Sequence, residues 1–159
     1  MDQTQVKALF DALLSASNEE RQRGEEAFRA WRARDAGACV QTLLAVVCAP
    51  ETFAEAQRQM ACVQLRIALV SPRDSVWPQL APAVQQAVKH QLLALLVRDD
   101  ASAPVRRAVD AAVAALGTYL LAELPPSVVG SRNNGQLFVF SPFSLTPFVF
   151  HLFHFFHNS

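Results

Sequence analysis

Three cysteines, Cys39, Cys48 and Cys62, and four histidines, His90, His151, His154 and His157, are the side chains of this 159-residue sequence best suited to nucleophilic or metal chemistry. Their spacing argues against both. The cysteines form no CxxC pair, are odd in number and sit in apolar helical stretches, where a thiol packs as a small hydrophobe. His90 is the only histidine before residue 124, so nothing nearby suggests a Cys/His couple. In a helix His151 and His154 would share a face and His157 would rotate away from it, with no carboxylate or thiol close by to complete a metal shell. Five glycines form no phosphate loop, and no carboxylate pair or base-activated nucleophile is visible. The expectation is a binding module with no enzymatic activity, no cofactor and no metal.

Charge adds little about a partner. Lys+Arg and Asp+Glu are 14 each, so no global excess points to nucleic acid or an anionic membrane. The start, Met1-Asp2-Gln3, has no basic-then-apolar leader, and the odd cysteine count suits a reducing compartment. A cytoplasmic and nuclear setting is the expectation. The charges are unevenly placed, however: after Leu124 the only charged side chain is Arg132, and residues 1–123 hold the other 27. Eight of the eleven phenylalanines lie between Phe138 and Phe156. Residues 1–123 and 124–159 therefore read as two different kinds of sequence.

Helices must position whatever residues 1–123 do. Val6, Leu9, Phe10, Leu13 and Leu14 gather on one face at 3.6 residues per turn and predict a helix over about 4–15. Ser17 and Glu20 have capping-box spacing and open a second helix, with Gly24, Ala27, Phe28 and Trp31 inward and Glu, Gln and Arg outward. Arg34-Asp35-Ala36-Gly37 closes it. Val40, Leu43, Leu44 and Val47 predict a short apolar helix ending before Pro50. Thr52 is placed to cap the next, with a stripe of Phe53, Ala56, Met60, Val63 and Ile67. Ser71 to Pro82 interrupts the pattern. Val84, Val88, Leu92, Leu95 and Leu96 then define a fifth helix. After a Ser102 cap with Pro104 in the first turn, Val105, Val109, Ala112, Leu116 and Leu120 define a sixth. Three helical hairpins without a strand signal predict an all-α fold, a HEAT-like helical-repeat solenoid with an irregular Phe-rich tail. Second helices starting near 18, 52 and 102 suit irregular HEAT-type units better than a strict 34-residue repeat.

The run Arg58-Gln59-Met60-Ala61-Cys62-Val63-Gln64-Leu65-Arg66 resembles the N-terminal region of the importin-beta (karyopherin-beta) family, more narrowly its importin-five, or importin-beta-three, branch. Ser17-Asn18-Glu19-Glu20-Arg21 with Glu25-Glu26-Ala27-Phe28 precedes it, and Val76-Trp77-Pro78-Gln79-Leu80 follows, in the family's order and spacing. The resemblance covers residues 6–123, Arg106-Arg107 included. Gln64, Ile67 and Ala68 depart from it, standing where the family pattern has an aliphatic residue, a basic residue and a leucine. Family receptors are also much longer, so the resemblance implies a truncated receptor. It further implies binding of the GTP form of the small GTPase Ran through the second helices, whereas cargo protein and nucleoporins would be partners only of a full-length receptor. By helical phase the outward residues implied for Ran are Gln22, Glu26, Arg29 and Arg32, then Glu55, Gln59 and Arg66, with Cys62 in the same row. The plain alternative is that these are ordinary solvated helix faces.

The tail leaves several readings open. Leu137 to Phe156 is long enough to span a bilayer, yet Pro142 and Pro147 break a helix and no basic flank follows. Asn133-Asn134-Gly135 is a hairpin turn signal. The Phe, Ser, Leu and Pro content is also that of pyrimidine-rich codons, as expected of a reading frame that runs through an intron. Two other functions therefore stand beside the transport reading: a membrane-tethered helical adaptor, and a nonproductive truncated product.

Overall fold

Asp2 opens the first helix. Its carboxylate accepts from the Gln5 backbone N–H at 2.8 Å, and its own N–H donates to the Gln5 side-chain carbonyl at 3.1 Å. This reciprocal capping satisfies two helix-end donors. The protein is seen here as a computed structural model that describes residues 1–98 and 102–122. Helix α1, Gln3–Leu13, buries Val6, Leu9, Phe10 and Leu13. Ser17 caps α2, Asn18–Arg34, by accepting from the Glu20 N–H at 3.4 Å. The expected return contact from Glu20 is not made, because its carboxylate accepts instead from the Ser15 hydroxyl. Helix α2 buries Gly24, Phe28 and Trp31, and the two rings meet edge to face with centroids 6.1 Å apart. Gly24 lets α1 come close: a β-carbon there would lie 3.1 Å from the Leu13 nitrogen.

One residue joins α2 to α3. Asp35 donates its N–H to the Trp31 carbonyl at 3.0 Å and accepts from the Ala38 N–H on its carboxylate at 2.9 Å, so it ends one helix and starts the next. Helix α3, Ala36–Cys48, buries Cys39, Val40, Leu43, Leu44, Val46 and Val47. It is apolar on most sides because it lies at the centre, packed by α2, by α4 (Glu55–Val70) and by α5 (Pro82–Leu96). Helix α4 also packs on α1, where the Gln57 amide donates to the Asp11 carboxylate at 2.6 Å. Buried Arg58 donates from Nε to the Val47 carbonyl at 2.9 Å, so a cation sits at the carbonyl end of α3, where the helix dipole favours it.

Two details of α4 correct the sequence reading. The helix starts three residues after Thr52, with Ala54 in the capping position and its N–H donating to the Gln57 side-chain carbonyl at 3.0 Å. Its buried face is Gln57, Arg58, Ala61, Cys62, Leu65, Ala68 and Leu69, not the Met60, Val63 and Ile67 stripe. Ile67 is 40% exposed, and Met60 and Val63 are half-buried. Phe53, counted as the first residue of the stripe, is buried but lies ahead of the helix rather than within it.

Between α4 and α5 the chain folds back as a strap rather than a simple interruption. The Val76 N–H donates to the Ala68 carbonyl at 2.8 Å and the Ser75 hydroxyl to the Leu69 carbonyl at 2.5 Å. These bonds satisfy carbonyls that the end of α4 leaves without helical partners. A short 3-10 turn, Trp77–Gln79, follows against α4, and Val76, Trp77 and Leu80 join the core. The Gln85 amide donates to the Trp77 carbonyl at 2.8 Å and ties the strap to α5, which buries Val88, Lys89, Leu92 and Leu95.

Helix α6, Ala103–Ala122, buries Val105, Val109, Ala112, Val113 and Leu116. Before it, the Ser102 carbonyl accepts from the Arg106 N–H at 2.9 Å, while the buried Ser102 hydroxyl has no hydrogen-bond partner and is not the cap its position suggested. By contact the chain forms two compact units, Met1–Leu116 and Gly117–Ser159, and the described residues of the second are 117–122, the end of α6. The described residues are thus all-helical: six α-helices and no strand, in an order consistent with helical repeats. The tail features, namely the His151/His154/His157 set, the Asn133-Asn134-Gly135 turn and the Leu137 to Phe156 span, lie outside the described residues.

Candidate functional site

The outward face of α2 carries the most concentrated set of polar side chains assigned from the sequence. Its helix is oriented by three inward anchors, Gly24, Phe28 and Trp31, which turn the residues between them to solvent. Asn18, Arg21, Gln22, Glu25, Glu26 and Arg29 line an open groove of about 490 Å³ along that face. Gln22, Glu26 and Arg29 therefore come together as the sequence implied. Asn18, Arg21 and Glu25 were missed, although positions 18, 22, 25 and 29 follow the 3.6-residue period and could have been read from it.

Hydrogen bonding divides the groove into occupied and open groups. Arg21 donates to the carbonyls of Ser15 and Ala16 at 2.8 and 3.1 Å and to the Asn18 side chain, so its charge braces the α1–α2 link. The Gln22 amide donates to the Glu26 carboxylate at 3.1 Å. Among the described residues Glu25 and Arg29 have no such side-chain partner, and they are the groups best placed to meet another molecule. Glu19 and Arg23 pair at 3.7 Å with both side chains largely exposed, an arrangement worth about 0.3–0.5 kcal/mol at most. Acids in the first turn, Glu19 and Glu20, and bases in the last, Arg32 and Arg34, match the helix dipole.

Arg32 departs from the outward row. Its side chain is only 13% exposed and lies 4.0 Å from the Asp74 carboxylate in the strap, so it links α2 to the segment after α4. On α4, Glu55, Gln59 and Arg66 are exposed as expected, whereas Cys62 in the same row is 2% exposed. Burial pushes the Cys62 thiol up to about 12, against a smaller opposing effect of Arg58. Cys39 is likewise raised to about 12 by burial, with Arg32 opposing and Asp35 adding. Both thiols are protonated near neutral pH and unsuited to nucleophilic work.

Two further groups are displaced by burial, Lys89 downward and Asp110 upward, the latter opposed by Arg106. They lie on α5 and α6, and neither belongs to the α2 groove. Among the described residues no three His, Cys, Asp or Glu side chains are placed to hold a metal ion. No helix among them is long and apolar enough to cross a membrane. A scan of the sequence against protein-family models finds none that matches.

Proposed function

We propose that this chain is a protein-binding module of the importin-beta kind, a HEAT-type solenoid segment whose second helices bind the GTP form of Ran in nucleocytoplasmic protein transport. The observation that carries the reading is the polar groove on α2, where Gln22, Glu26 and Arg29 lie together on a helix whose other face is core. Exposure of Glu55, Gln59 and Arg66 on α4 is in keeping with it. Catalysis is not part of the reading: the groove holds no nucleophile beside a base, and its charged groups are either braced within the helix or open to solvent. A mixed-charge helical surface of this kind suits recognition of a folded protein, with charge placement fixing orientation and partner choice.

The test is direct binding of the purified full chain to Ran loaded with a nonhydrolysable GTP analogue or with GDP, followed by biolayer interferometry. Binding to the triphosphate form that weakens at least about tenfold in Arg29→Glu is the expected result. Equal binding to both forms, or none to either, would remove the proposal.

A further inference from the structure

Among the serines and threonines of the described residues, Ser71 alone is followed by proline. Proline has no N–H to donate and keeps the residue before it out of helical geometry. Ser71 accordingly ends α4 with φ −60° and ψ 129°, an extended backbone. Its N–H donates to the Ile67 carbonyl at 3.1 Å, whereas its hydroxyl has no hydrogen-bond partner among the described residues. The hydroxyls of Ser15, Ser17, Thr42 and Ser75 are by contrast each committed to a hydrogen bond. Beyond Ser71 the chain runs through Pro72, Arg73 and Asp74, all exposed.

We infer that Ser71 is a phosphorylation site for a proline-directed protein kinase, and that the strap after α4 gates it. The kinase's carboxylate base takes the Ser71 hydroxyl proton as Oγ attacks the γ-phosphorus of ATP. The new Oγ–P bond forms, the bond from that phosphorus to the β–γ bridging oxygen breaks, and ADP leaves. Such a site takes its peptide extended, and a proline-directed one accepts a next residue without an N–H; Ser71-Pro72 supplies both. The closed strap holds this segment against the protein. The Val76 N–H and Ser75 hydroxyl are bonded to the Ala68 and Leu69 carbonyls, and Asp74 lies 4.0 Å from Arg32 on α2. Opening these contacts is the local step that admits the kinase. Once attached, the phosphate opposes reclosure. It brings a charge of about −1.5 to −2 at neutral pH to the carbonyl end of α4, which the helix dipole makes negative. Arg73 is exposed and can meet the phosphate with the strap open or shut, so it favours neither state. Phosphorylation thus weakens the seating of Val76 and Trp77, both core residues.

The test treats the full chain with a mitogen-activated protein kinase, ATP and magnesium, and locates phosphate by peptide mass mapping. Ser71 is expected to carry phosphate, and Pro72→Ala should slow its modification at least about tenfold. Ser75→Ala, which removes one strap bond, should speed it about fivefold while leaving the far-ultraviolet circular dichroism unchanged. Hydrogen exchange over residues 72–80 should quicken at least about threefold in kinase-treated wild type and not in kinase-treated Ser71→Ala. That comparison cancels any phosphate carried by Ser141 or Thr146, the other serine or threonine residues that precede proline in the sequence. No phosphate on Ser71, a Pro72→Ala chain modified as fast as wild type, a Ser75→Ala chain modified no faster, or strap exchange that phosphorylation leaves unchanged would each overturn the inference.

Discussion

Replacing Gly24 by alanine tests how closely α1 and α2 are packed. On an exposed helix the change stabilises, because alanine is favoured over glycine by about 1 kcal/mol. At position 24 the added β-carbon would lie 3.1 Å from the Leu13 nitrogen, 3.2 Å from the Ala12 β-carbon and 3.3 Å from the Ala12 carbonyl carbon. Two of these three atoms are backbone and cannot rotate away, so the helices must separate by a few tenths of an ångström. That separation loosens contacts around Phe10 and Leu13, both buried. Overpacking of this kind costs about 1–3 kcal/mol, which leaves Gly24→Ala about 1 kcal/mol less stable than wild type. Gly37 is the internal control. It lies in the first turn of α3, and the nearest atom to a new β-carbon is an Asp35 carboxylate oxygen at 3.7 Å, an ordinary contact. Gly37→Ala should therefore gain about 0.5–1 kcal/mol. Urea denaturation of the three full-length chains, followed at 222 nm, should separate the two variants by about 2 kcal/mol, with wild type between them. A Gly24→Ala chain as stable as wild type, or a Gly37→Ala chain less stable than it, would refute the packing argument.

Two other perturbations follow from the buried polar groups. Arg58→Met should destabilise the chain by about 2 kcal/mol in urea, because the Val47 carbonyl loses its charged donor, whereas Arg23→Ala, which breaks only the exposed pair with Glu19, should change stability by less than about 0.5 kcal/mol. The buried thiols make stability fall in strong base. With Cys39 and Cys62 raised to about 12 in the folded chain, the unfolded chain ionises first, near its ordinary value of 9. Their protonated state costs nothing below pH 9, and above it stability drops by about 1.4 kcal/mol per pH unit for each thiol. Denaturation curves at pH 8, 9.5 and 10.5 should show that slope roughly halved in Cys39→Ala; an unchanged slope would contradict the assignment.

Where a helix has one wet side and one dry side, its inward residues were legible. Val6, Leu9, Phe10 and Leu13 on α1, and Phe28 and Trp31 on α2, are buried as their spacing required, whereas Leu14, past the end of α1, and Ala27 on α2, counted with them, are exposed. Helix α4 was misread because it offers two apolar stripes, and periodicity alone cannot choose between Met60/Val63/Ile67 and Ala61/Leu65/Ala68. The choice is made by tertiary partners: the Asp11 carboxylate on α1 and the Val47 carbonyl on α3 draw Gln57 and Arg58 inward. The strap was read as an interruption because proline and serine dominate it, yet its backbone N–H and hydroxyl groups complete the end of α4 and carry Val76, Trp77 and Leu80 into the core. At the α2 groove the types and phase of Gln22, Glu26 and Arg29 were readable. The diversion of Arg32 to Asp74 was not, since it depends on where a distant segment passes.

Asp35 bears on how the chain tolerates change in length. Because this residue alone separates α2 from α3, their mutual angle depends on one pair of backbone torsions, held from both sides by hydrogen bonds to Trp31 and Ala38. An extra residue there would break one of those bonds and swing the groove-bearing helix away from the central one. The one-residue link thus makes the chain length between α2 and α3 a determinant of where the groove lies.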